Sequence, residues 1–124
     1  MSFYRIRLEL ARSPEFPEGA PNRGYEIKAP LSEEGHLDEA AWRTAKDFCT
    51  VRRFWQGEPD QEGRLIHTRH RDWAVSYAPG EDDDEPVFHL ETHRIAPGEY
   101  ISIREREGDT ETFRIAQVTP LKVH

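Results

Sequence analysis

EYISIREREGDTETFRIAQVT, residues 99–119, decides the fold. Ile101 and Ile103 stand two apart, as do Phe113 and Ile115, with Ser102, Arg104, Thr112 and Arg114 between and beside them. A period of two marks a strand with one buried and one wet face. Gly108-Asp109 supplies the turn signal between the two runs, so the stretch reads as an antiparallel hairpin. Pairing Ile103 with Ile115 puts Glu107 opposite Glu111 and leaves Gly108-Asp109-Thr110 as a three-residue loop. A two-residue Gly-Asp loop would set Ile103 against Arg114 and split the apolar set, so the three-residue loop is the expected register.

Upstream of this hairpin the chain keeps the same character. CTVRRFWQ (49–56), RLIHT (64–68), WAVSY (73–77) and residues 87–94 read as strands. The polar stretches between them, GEPDQEG (57–63), RHRD (69–72) and APGEDDDEP (78–86), read as turns or loops. At the N-terminus Tyr4, Ile6, Leu8 and Leu10 alternate with Arg5, Arg7 and Glu9, which predicts a strand over 2–10. Three prolines and two glycines in RSPEFPEGAPNRG (12–24) predict an irregular loop, because proline has no N–H to give a ladder. A short strand over 24–29 follows, with Tyr25 and Ile27 inward.

One helix interrupts the pattern. Asp38 is placed to cap a first turn, and Leu37, Ala41, Ala45 and Phe48 recur at three- and four-residue spacing. This predicts a helix over 38–48 that packs on a sheet or plugs the end of a barrel. The fold expectation is therefore a mainly β (α+β) single domain over residues 1–124, with about eight short strands and one short helix. Short turns between successive strands make the pairing antiparallel. Closure into a small barrel, or strong curling of the sheet, would remove the exposed edges.

Composition narrows function by exclusion. The 124 residues carry 17 Lys and Arg against 24 Asp and Glu, a formal charge of −7. No apolar run approaches the ~18 residues of a membrane helix, and MSFYRIRLEL has no apolar block of a signal peptide. The single cysteine, Cys49, makes no internal disulfide. A soluble, cytoplasmic protein is the expectation. No nucleophile elbow, P-loop or dinucleotide fingerprint is present, and Cys49 follows a helix C-terminus, whose partial negative charge opposes a thiolate. No residue is singled out as catalytic, and no cofactor is called for.

Charge is unevenly spread. Residues 80–112 hold 11 acids and 3 bases, whereas residues 43–73, next to Trp42, hold seven bases and five acids among Phe54, Trp55, His67, His70 and Trp73. The second window is the expected contact surface. Arg53, Trp55, His67, Arg69 and Trp73 would form an aromatic and cationic patch, or the mouth of the barrel, for a protein or a small anionic ligand. Two alternatives use the same region. Bases interleaved with aromatics suit single-stranded nucleic acid, but the acidic chain as a whole repels polyanions. His89, Glu91 and His93 share a face if residues 87–94 are a strand, and with His67 or His70 they would hold zinc or another divalent metal. The run EDDDE (81–85) lacks the alternating spacing and pivot glycine of a calcium loop and reads as a solvated loop.

Overall fold

The computed structural model describes residues 2–67, 73–77, 85–87, 90, 94–104 and 109–121. Eight strands follow one another in space as in sequence: β1 (Ser2–Leu10), β2 (Ala20–Leu31), β3 (Thr50–Trp55), β4 (Glu58–His67), β5 (Trp73–Ser76), β6 (Glu85–Val87), β7 (Tyr100–Arg104) and β8 (Thr110–Leu121). Each pairs antiparallel with the next, and β8 returns to pair with β1, so the sheet closes. This is the expected eight-stranded antiparallel barrel, and closure pairs the first strand with the last, which would otherwise be the open edges of the sheet.

The helix is shorter than expected. Asp38 caps it as predicted, its carboxylate accepting from the Ala41 amide at 3.0 Å, but α1 spans only Glu39–Thr44. Ala45 leaves helical geometry, with φ −137°, and Lys46–Phe48 form a separate 3₁₀ turn. The 3.6-residue stripe therefore does not carry through to Phe48, which is 60% exposed and lies edge-on to the Phe3 ring, centroids 6.5 Å apart. Ala41 and Trp42 make the buried side of α1 instead.

Two further boundaries differ, each for a physical reason. β2 begins at Ala20, because the residues between Ala20 and Gly24 bulge out of the pairing with β1, which passes from Leu10↔Ala20 to Glu9↔Gly24. A bulge is where a strand tolerates Pro21, which has no amide to donate. Gly24 follows at a close approach of backbones: a Cβ there would overlap the Leu8 carbonyl oxygen. The polar stretch 57–63 is mostly strand. Only Gln56 and Gly57 turn, with Gly57 at φ +87°, and β4 starts at Glu58. Asp60 and Glu62 belong to the outer wall, where Asp60 pairs with Arg52 at 3.1 Å, whereas Gln61 faces the other way.

The C-terminal hairpin is paired differently from the expected register. Ile101 faces Phe113 and Ile103 faces Glu111, so Ile103 lies four residues from the predicted partner Ile115. An even displacement preserves the faces. Ile101, Ile103, Phe113 and Ile115 are all buried, as the alternation requires. The core continues through Leu8, Tyr25, Ile27, Val51, Leu65, Trp73, Val75 and Val87, which project into the barrel.

Candidate functional site

The strand register divides the barrel interior into two ends. At one end β2 finishes, α1 follows, and β4 reaches His67. Trp42 of α1 enters here and sets its ring edge against Trp73, centroids 4.8 Å apart at 86°. Its indole N–H donates to the Leu65 carbonyl at 2.9 Å. His67 stacks on Trp73 at 4.6 Å and 26°, and its Nδ1 lies 3.4 Å from Glu39 Oε1. Lys46 Nζ sits 5.0 Å from the centre of the Trp42 ring. The helix thus closes this end with a packed aromatic cluster.

The opposite end, where β1 finishes, β2 begins and β3 turns into β4, is lined differently. Arg23 and Trp55 are cross-strand partners, and so are Tyr25 and Arg53, and Arg53 and Gln61. Partners on one face of an antiparallel pair point the same way, and Tyr25 is fully buried in the core, so all five project inward. The Arg53 guanidinium lies 4.3 Å from the centre of the Trp55 ring and that of Arg23 lies 5.6 Å from it. Phe16 closes over the other cation at 4.3 Å, carried by the loop between β1 and β2. That loop holds its shape through reciprocal amide bonds between Ser13 and Phe16, each 3.0 Å. Phe113 completes the aromatic frame, edge-on to Trp55 at 6.5 Å and to Tyr25 at 5.2 Å.

The polar groups of this mouth are unequally satisfied. Arg53 is 8% exposed and reaches Glu58 Oε1 at 3.3 Å. Arg23 makes no ion pair among the described residues, and its Nε is buried without a hydrogen-bond acceptor. Gln61 Oε1 is also buried without a donor. Deeper in the wall, Glu85 of β6 is 1% exposed, and its Oε1 accepts from both Tyr25 and Tyr77 hydroxyls. At the rim, Glu111 projects inward opposite Ile103. Burial and the nearby Glu15 and Asp109 carboxylates push its pKa above the ordinary glutamate value.

Of the residues expected from sequence, the structure brings together two pairs. Arg53 and Trp55 meet at the mouth, and His67 and Trp73 meet at the helix end. Trp73, at 1% exposure, is core, so these four do not form one surface. Arg69 lies outside the described residues, as do His70, His89, Glu91 and His93. The strand expected over 87–94 was what set the last three on one face. The described strand ends at Val87, and Leu90 lies in a turn. Among the described residues no group of three or more potential metal ligands converges.

Sequence reasoning missed Arg23 and Glu85. Arg23 falls in a proline-rich stretch read as loop, whereas β2 runs through it and alternation gives it the inward face of Tyr25. Glu85 ends the acidic run, and the sole hint was its two-residue spacing from Val87. Cys49 is buried, its Sγ 3.5 Å from the Ala45 carbonyl, and burial pushes its thiol pKa up to about 11, which keeps it protonated and unreactive. Among the described residues no helix is long and apolar enough to cross a membrane. No protein-family model, curated protein or solved structure matches the chain.

Proposed function

We propose that the protein is a binding module without catalytic chemistry of its own, and that it takes a small anionic ligand at the helix-free mouth of the barrel. The observation that carries this reading is Arg23. Its guanidinium is held between Phe16 and Trp55, beside Arg53, with a buried Nε–H that no described group accepts. Cation–π contact returns about 0.5–2 kcal/mol per ring, depending on burial, but supplies no acceptor for the Nε–H. A donor left unpaired away from water costs about 1–3 kcal/mol, so an anion arriving there gains what the fold leaves unmet. Guanidinium groups present fixed N–H forks that match planar oxyanions.

The nucleic-acid alternative loses ground because its bases and rings are not on a common exposed face: Trp73 and Arg53 are buried in the barrel wall. A cytoplasmic site of action suits a chain whose one cysteine is a buried free thiol.

The three tryptophans make the test local. In 1H–15N spectra of the full chain, acetate, benzoate or inorganic phosphate is added at millimolar concentration. The expected result is movement of the Trp55 indole and Arg23 Nε–H signals, with the Trp42 and Trp73 indoles stationary. Movement at Trp42 and Trp73 with Trp55 fixed would place the ligand at the other end. Silence at all three with every anion would end the anion reading.

A further inference from the structure

We propose that the mouth selects a small monocarboxylate with a flat apolar body, of about the size of benzoate, over phosphate and over polyanions. The inference rests on the anion reading above and adds the class of ligand. Charge supplies the first half of the argument. Of the two inward cations, Arg53 has Glu58 at 3.3 Å, whereas Arg23 makes no ion pair among the described residues. One uncompensated cation calls for one negative charge. The rim is otherwise acidic: Glu111 faces inward, and Glu15 and Asp109 are close enough to disfavour its ionisation. A dianion, such as phosphate above about pH 8, meets twice the repulsion from these carboxylates that a monoanion meets.

Shape supplies the second half. Phe16 and Trp55, both only partly buried, flank the approach, so an anion carrying a flat ring buries apolar area that acetate lacks. Gln61 adds an unpaired amide oxygen for a hydroxyl or amine on such a body. Length is limited from below. Tyr25, Phe113, Leu8, Ile103 and Ile115 are fully buried and fill the barrel beneath the rim, which leaves no course for a long acyl chain.

Isothermal titration calorimetry of the full chain at about pH 8, where phosphate is the dianion, with benzoate, acetate and inorganic phosphate tests this. Benzoate should bind at least about tenfold tighter than acetate, from the added ring burial, and phosphate should give no heat of binding. Acetate matching benzoate would overturn the apolar-body part. Phosphate binding as tightly as benzoate would overturn the monoanion part. In both cases the mouth would remain an anion site. No binding by any of the three, together with unmoved Trp55 and Arg23 signals, would overturn the anion reading itself. Arg23→Lys keeps the charge and loses the fork, and Arg23→Met loses both. Benzoate affinity should therefore fall in the order wild type, Lys, Met, with circular dichroism checking that each variant is folded. Equal affinity in all three, with the fold intact, would remove Arg23 from the site and overturn the proposal.

Discussion

The two ends of the barrel contain the same kinds of residue arranged to opposite effect. At the helix end, aromatic rings and a histidine pack against one another, and the polar atoms they carry have partners: the Trp42 indole donates to Leu65, and His67 lies beside Glu39. At the mouth, rings and cations are again interleaved, but Arg23 Nε and Gln61 Oε1 are buried without partners. A domain of this size is stable by only about 5–15 kcal/mol, so each such atom consumes an appreciable part of it. The contrast teaches that burial and satisfaction are separate properties. A plug is buried and satisfied, whereas a site waiting for a ligand is buried and incomplete.

The largest expected effect tests that division by truncating one indole from each end. Trp73→Ala opens a cavity beneath Trp42 and His67 and should cost about 3–5 kcal/mol in chemical denaturation. Trp55 is only partly buried and bordered by cations, and Trp55→Ala should cost about 1–2 kcal/mol. Equal losses would mean that the mouth is core like the other end.

The next effect concerns Glu85, which belongs to the wall between the two. Glu85→Ala takes one shared acceptor from Tyr25 and Tyr77 and should cost about 2–4 kcal/mol. Glu85→Gln keeps an acceptor oxygen and should cost about 1 kcal/mol. A wild-type melting curve for Glu85→Ala would show that this buried carboxylate is no part of the framework.

A smaller effect of opposite sign is expected at Arg23. Replacing a poorly compensated, partly buried cation by an apolar chain of similar length often stabilises. Arg23→Met should therefore raise the denaturation midpoint, by about 0.5–1 kcal/mol, in the absence of ligand. A loss of stability would show that the cation–π contacts with Phe16 and Trp55 repay the buried charge, and the mouth would then resemble the plug.

The barrel was legible because period-two alternation depends only on which side chains water excludes, and that survives errors in pairing. The predicted partner of Ile103 was four residues off, yet Ile101, Ile103, Phe113 and Ile115 all lie on the predicted face. The site was less legible, since inward polar residues carry no composition signal. Arg53 and Trp55 were singled out together and do meet, because neighbours two apart on a strand share a face whatever the register. His67 and Trp73 were joined to them by sequence proximity alone. Six residues of β4 separate His67 from Gln61, the partner of Arg53, a run of roughly 20 Å at ~3.3 Å per residue. Arg23 was hidden because the proline-rich stretch before Gly24 reads as loop; with β2 extended through that stretch, Arg23 shares the face of Tyr25.

The finest difference between the ends should appear as a dependence on pH. Glu111 at the rim holds its proton more tightly in the folded chain than an ordinary glutamate, through burial and the charges of Glu15 and Asp109. A carboxyl whose folded pKa is raised favours folding below its unfolded value, and that contribution is lost as pH rises through the folded value. At neutral pH the ionised Glu111 thus works against the fold, and Glu111→Gln should melt above wild type. As pH falls below ~4, where the carboxyl is protonated in both states, the gap should close. A melting difference that stays constant across this range would mean that the rim carboxylates do not repel one another. The acidic barrier against dianions would then be absent, although the match between one spare cation and one negative charge would still stand.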